Sequence, residues 1–231
     1  MEGQDNTRYA RQMTIPQIGE EGQRKLSEAS VLVVGGGGLG SPLLYALAGA
    51  GVGHLTIADG DKVSLSNLNR QCLYTEGDVG ANKAICAALR LSAYNRDIAV
   101  TSFPNMVDAE NCEALVAGHD LVLLAVDCIP TRLLVNDFCK AQNIPLISGG
   151  IDGFFGDVLA VEWGKTSDLH TLYDGAAQGA PAGALGAVAG VIASLMANLA
   201  ILQLLGRKSP LGGSLLTYDG LTLSLESVAI G

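Results

Sequence analysis

This chain lacks the pairing that turns cysteines into ligands or cross-links. Its five cysteines, at positions 72, 86, 112, 128 and 139, form no C-x-x-C, and none follows Cys139. An odd, scattered set suits reduced thiols in a core better than disulfides or a zinc site. Basic residues are also scarce, with 14 Lys and Arg against 23 Asp and Glu, a net charge of −9 and no basic stripe. That balance argues against a nucleic-acid partner, which would favour a basic surface. The N-terminus, MEGQDNTRYARQ, has no apolar run, which argues against a secretory signal and for a cytoplasmic protein. The three histidines, His54, His119 and His170, have neither metal-ligand spacing nor triad partners and read as structural.

Charge is missing altogether between Ala176 and Gly206, and the stretch 183–205 is long enough to cross a bilayer as a helix. Gly and Ala dominate its first part, Ser194, Asn198 and Gln203 interrupt its apolar surface, and no aromatic belt flanks it. It therefore reads as a core or subunit-interface helix, and no membrane partner is expected. A hydrophobic content of 48% requires a large buried sheet or an extensive interface. With 231 residues, one domain spanning 1–231 is sufficient.

The richest stretch runs from Ser30 to Arg70. The β-branched run 30–34 predicts a buried strand, and Gly35, Gly37 and Gly40, with Gly38 inside the same turn, form G-x-G-x-x-G leading into a helix. Glycine is required there because a Cβ would hold backbone N–H groups and the helix N-terminus away from a phosphate. A second strand, 54–58, ends at Asp59, about 20 residues past the last glycine, where an acid accepts hydrogen bonds from ribose hydroxyls. This fingerprint alone suits NAD as well as ATP. Asp61 then opens the block DKVSLSNLNRQ, which places Ser66, Asn67, Asn69, Arg70 and Gln71 within six residues. Such polar density after an apolar strand suits a loop presenting donors to phosphate oxygens.

Periodicity predicts a helical arm over 1–28, then strand 30–34, helix 39–50, strand 54–58, a helix near 80–94 and strand 97–103. A short helix over 109–117, strand 120–126, helix 131–142 and strand 144–148 follow. Strands alternating with helices predict a Rossmann-like doubly wound α/β fold with a largely parallel sheet. The segment 153–163 alternates without a helix, and 214–218 with 221–226 reads as a hairpin, so antiparallel strands are expected at the C-terminal side. Between them, 164–182 reads as a mobile loop crossing over the active-site face.

Together with Arg8-Tyr-Ala-Arg11-Gln12 upstream and Gly80-Ala-Asn-Lys83 downstream, these motifs resemble the ThiF, MoeB and HesA family of bacterial ubiquitin-activating-like enzymes, from about residue 8 to about residue 226. The resemblance implies adenylation of a carboxylate with ATP and Mg²⁺ by a homodimer. Such a site needs cations, a metal and oriented donors rather than a covalent nucleophile. Arg70 and Lys83 are candidates for phosphate contacts, and Asp127, after the strand 120–126, lies where doubly wound folds place ligands. By resemblance Asp127 holds Mg²⁺, and Arg11 reaches into the partner subunit's site. Plainer roles stand beside these. Arg11 and Lys83 could be solvated helix residues, Asp127 a cap for the following helix, Asp61 a turn closer, and Asn67 and Asn69 shapers of their loop. Cys72 and Cys128 read as small apolar fillers.

The chain departs from the family pattern in three places. It lacks the two C-x-x-C pairs that bind structural zinc, so zinc is excluded there. The family's loop cysteine would fall near Gly179, which removes covalent sulfur chemistry through it. Cys128, among the candidate nucleotide-binding residues, stands where Asn is common. The expected substrate is the C-terminal Gly-Gly of a ubiquitin-fold sulfur carrier. A small cofactor-precursor carboxylate and a degenerate nucleotide-binding scaffold are the alternatives, and an NAD-dependent oxidoreductase is more distant, since no Tyr-x-x-x-Lys or His/Asp pair follows the fingerprint.

Overall fold

The computed structural model describes residues 8–173, 175–179 and 183–230. They form one eight-stranded sheet in the order β3-β2-β1-β4-β5-β6-β7-β8. Strands β1 (Ser30–Val34), β2 (His54–Ala58), β3 (Ala99–Phe103), β4 (Leu121–Leu124) and β5 (Leu146–Asp152) pair in parallel, and β6 (Phe155–Val161), β7 (Leu215–Asp219) and β8 (Ser224–Val228) continue antiparallel. Chain order runs outward from β1 to β3 on one side and from β4 to β8 on the other. The strand order therefore reverses between the parallel neighbours β1 and β4, and a crevice opens beyond their C-terminal ends, the place where such sheets hold ligands.

The apolar runs of β1 and β4 follow from being covered on both faces. Val31 and Val33 face one core with Leu121 and Leu123, while Leu32 and Val34 face the other with Val122 and Leu124. The first core is closed by α2 (Gly19–Glu28), α3 (Gly40–Ala50), α4 (Lys83–Tyr94) and α8 (Gly186–Leu204), the second by α5 (Cys112–Val116), α6 (Ile129–Gln142) and α7 (Leu169–Tyr173). Leu43, Leu44 and Leu47 of α3 are completely buried, and each such side chain stabilises the fold by roughly 1.5–3 kcal/mol. Helix α3 stops at Gly51, whose φ of +79° ends it in a left-handed cap.

Several boundaries differ from the sequence expectation. The N-terminal arm is two helices, α1 (Ala10–Met13) and α2, separated by a turn containing Pro16. The strand expected over 120–126 is only Leu121–Leu124. The strand expected over 144–148 instead runs to Asp152, because β6 pairs with it along its whole length while β4 accompanies only its first half. The segment expected to be a loop over 164–182 contains α7, with Leu169 fully buried against α6. Residues 174 and 180–182 of it lie outside the described residues, as does 1–7 of the arm.

The long apolar helix begins at Gly186 rather than at 183. One side of α8, including Ile192, Met196 and Ala200, is buried against α3, β5 and β6. The other presents a shallow groove lined by Ala187, Gly190, Val191, Ser194, Leu195 and Asn198. A helix with half of its surface in the protein core serves the sheet.

Candidate nucleotide site

The glycine turn after β1 is shaped by what crowds it. Gly35 has φ +98°, and a Cβ there would stand 2.5 Å from the Ala125 carbonyl oxygen just past β4. At Gly40 a Cβ would lie 1.9 Å from the Gly35 carbonyl oxygen, so the chain cannot turn into α3 with any other residue. Gly37 differs, since its nearest neighbour would be Gln71 Nε2 at 3.6 Å. There the missing side chain leaves open space. Among the described residues, the N–H groups of Gly37, Gly38 and Leu39 donate to no protein acceptor. Free N–H groups at the start of an 11-residue helix make an anion site, favoured further by the helix dipole.

One segment packs along this turn. Arg70 lies against Gly38, with Cδ 3.1 Å from where a Cβ would be, Gln71 lies against Gly37, and the Tyr74 hydroxyl donates to the Gly36 carbonyl at 2.7 Å. Ser41 donates to that same carbonyl at 3.0 Å, so two hydroxyls hold it. Burial pushes the Tyr74 phenol far above its ordinary value, which keeps it a donor.

Asp59 sits beneath the turn rather than apart from it. Its Oδ2 accepts from the Gly36 N–H at 2.8 Å and its Oδ1 from the Asp61 N–H at 2.9 Å. Burial raises its carboxyl above the usual range, against the lowering effects of the Lys83 charge and these two bonds. Lys83 is buried, and its Nζ pairs with Asp61 Oδ2 at 2.9 Å. Neither plainer role holds, because Lys83 is not a solvated helix residue and Asp61 is its counter-ion. Asn82 caps α4 by accepting from the Ile85 N–H, and its amide donates to the Asp59 carbonyl at 3.1 Å, which ties the helix start to the end of β2.

The loop 64–71 is held by its own side chains. Asn67 Oδ1 accepts from the Ser64 N–H, and Ser64 and Ser66 share a hydrogen bond. Arg70 Nη1 donates to the Ser66 carbonyl and to Asn69 Oδ1, each at 3.0 Å. Loop shaping is thus what the oxygens of Asn67 and Asn69 do. Arg70 has no carboxylate partner among the described residues, so its charge is unspent.

Across the crevice, Asp127 is exposed and its carboxylate makes no hydrogen bond among the described residues. Capping is not its role. Cys128 holds the cap position of α6 without a side-chain bond, and Gln178, from the crossover segment, accepts from the Ile129 N–H at 2.8 Å and approaches the Asp127 carbonyl at 3.4 Å. Within α6, buried Arg132 donates to Ser148 Oγ and to the Gly149 carbonyl at 2.7 Å and lies 5.6 Å over the Tyr173 ring. These contacts fasten α6, β5 and α7 together. Asp157 lies nearby without a hydrogen bond, and burial raises its carboxyl despite the Arg132 charge.

The structure therefore brings Gly35, Gly37, Gly38, Gly40, Asp59, Asp61, Arg70 and Lys83 around one turn, with Asp127 and Cys128 after the neighbouring strand. It does not bring Arg11 there. Tyr9 packs on Gly51 and Gln12 donates to the Ala50 carbonyl, so Arg11 sits at the far end of α3, about 15 Å from the turn at 1.5 Å per residue. One sequence reading of another group changes and one holds. Cys72 is exposed, not a filler. His119 is held by Thr56 Oγ1 at 2.9 Å and pushed down by burial, the structural role expected of it.

A model of the ThiF family matches residues 9–231. The chain belongs to the ThiF family. It is 42% identical to the sulfur carrier protein adenylyltransferase of Thermus thermophilus, over 96% of this chain and 86% of that one. It is 36% identical to the SAMP-activating enzyme E1 of Haloferax volcanii, over 96% and 84% respectively. Among solved structures, PaaA superposes with a TM-score of 0.84 at 26% identity, covering 100% of this chain and 75% of PaaA. As a ThiF-family member whose relatives are named adenylyltransferases, the chain is an ATP-using adenylyltransferase.

Proposed function

We propose that this ThiF-family enzyme adenylates the C-terminal glycine of a ubiquitin-fold sulfur-carrier protein, as a homodimer with Mg²⁺. The observation that carries the reading is the crevice between β1 and β4. Among the described residues, one wall offers unbonded N–H groups and an arginine without a carboxylate partner, and the other an unengaged carboxylate. Such a site stabilises charge on a phosphate while both reactants come from outside.

In that reaction a carboxylate oxygen of the carrier attacks the α-phosphorus, the bond to the bridging oxygen of the β-phosphate breaks, and pyrophosphate leaves with the electron pair. The Gly37–Leu39 N–H groups and Arg70 neutralise the charge that grows on the phosphate oxygens, and Lys83 adds positive potential from its buried place beside Asp61. A well-placed donor of this kind is worth about 3–4 kcal/mol of barrier. Asp59 has lone pairs left for the ribose. Asp127 fits Mg²⁺, an ion that takes one or two carboxylates and fills its shell with phosphate oxygens and water. When bound, the ion polarises the phosphoryl group.

Two features support the dimer and the carrier. Arg11 is remote from the site of its own chain, so it serves phosphate only in a partner's site, and the open face of α8 offers an apolar surface for that partner. The similarity to the Thermus thermophilus enzyme supports the sulfur carrier as substrate. Exchange of labelled pyrophosphate into ATP, measured against purified ubiquitin-fold carriers and small carboxylic acids, tests the reading. Exchange dependent on a carrier supports it, and exchange dependent only on a small acid moves the assignment to that substrate.

A further inference from the structure

One buried side chain at the site has no task in the fold. Gln71 is 3% exposed, yet its Oε1 has no hydrogen-bond partner, and among the described residues its Nε2 donates to nothing. A buried amide without partners is a standing cost, and a side chain kept only for packing would be better replaced by an apolar one of the same size. Its neighbours along the segment are all occupied: Arg70 bonds to Ser66 and Asn69, and Tyr74 holds the Gly36 carbonyl.

The direction of the amide gives the reason for its retention. Nε2 faces Gly37, where the turn leaves open space and where the N–H groups of Gly37, Gly38 and Leu39 are unbonded. A phosphate seated on those N–H groups lies in front of Nε2. The orientation suits an anion, because the amide presents its donor end to the turn and buries its carbonyl behind it. Resting on the ATP site described above, we propose that Gln71 is a nucleotide-binding residue whose side-chain Nε2 donates to the phosphate chain over Gly37, its only hydrogen bond being made to the ligand.

Activity and stability then pull in opposite directions at this position. Gln71→Met keeps the volume and removes the amide. Without nucleotide it is expected to melt at or above the wild-type temperature, while its Kd for ATP rises at least about tenfold, as the loss of a hydrogen bond to a charged group requires. Its Kd for adenosine, which carries no phosphate, is expected to stay unchanged. A melting temperature below wild type with an unaltered Kd for ATP would make Gln71 a structural residue and overturn the proposal. A second measurement needs no variant: in wild-type protein labelled with ¹⁵N-glutamine, the Gln71 side-chain resonance is expected to shift on adding ATP but not adenosine. No shift while ATP binds would equally overturn it. Wild-type protein that bound no ATP at all would instead overturn the nucleotide site, a different outcome from binding that ignores Gln71.

Discussion

The two walls of the crevice are built differently. On the glycine-turn side the groups beneath the turn are committed, and only those facing the ligand space stay open: both Asp59 oxygens hold backbone N–H groups, Lys83 is buried against Asp61, Asn82 fastens α4 to the end of β2, and two hydroxyls hold the Gly36 carbonyl. On the Asp127 side the carboxylate is exposed without a hydrogen bond and the start of α6 is capped by Gln178 from a distant segment. The first wall is complete within one chain and keeps its shape before a ligand arrives. The second is held by a contact from a distant segment and keeps its carboxylate unspent, as a surface does that meets a second substrate.

The largest expected effect breaks that comparison on its open side. Asp127→Ala removes a carboxylate that supports nothing in the fold, so pyrophosphate exchange should fall more than about a hundredfold, with the melting temperature unchanged. A variant that unfolds while its folded fraction keeps full specific activity would give Asp127 a structural task instead.

The committed wall should respond in the opposite way, and two glycines separate its fold from its function. Gly40→Ala forces a Cβ to within 1.9 Å of a backbone oxygen and should cost at least about 3 kcal/mol, as severe steric conflicts do. Gly37→Ala meets only a side-chain amide at 3.6 Å, so its denaturation midpoint should stay within about 0.5 kcal/mol of wild type. Its Kd for ATP should nevertheless rise at least tenfold. Equal stability losses at both positions would mean that the space over Gly37 is not kept for a ligand.

A smaller, statistical effect concerns the uncovered groove. If Arg11 serves the partner's site, mixing Arg11→Ala and Asp127→Ala subunits in equal amounts should recover about a quarter of wild-type exchange, since half of the dimers then hold one intact site. No recovery despite proven subunit exchange would confine Arg11 to its own chain. The smallest expected signal is zinc, for which elemental analysis should find far less than one ion per subunit.

The contrast also shows what can be read from residues alone. The glycine turn and the strands β1 and β2 were legible because local chemistry dictates them: an apolar run buried on both faces, then residues without Cβ where backbone meets backbone. Residues Gly149, Gly150 and Asp152 of β5 have no strand propensity and are extended only because β6 pairs beside them, which no local pattern reveals. Helix α7 was hidden for a related reason, since its five residues are held by Leu169 packing on α6 and by Asn136 bonding its first N–H. The sequence placed Lys83 among candidate phosphate contacts but could not show that it is buried beside Asp61, a pairing across 22 positions. Gln178 as the cap of α6 spans 49 and carried no signal at all. Gln71 could have been suspected from its place next to Arg70, but only its burial without partners distinguishes it.

Whether the enzyme activates a carrier's terminal glycine is decided by pyrophosphate exchange run with one ubiquitin-fold sulfur carrier in two forms, intact and lacking that glycine. Exchange is expected with the intact carrier and only background with the truncated one, because the attacking oxygen belongs to that glycine. Equal exchange with both forms, or none with any intact carrier while small acids are activated, would contradict that activation.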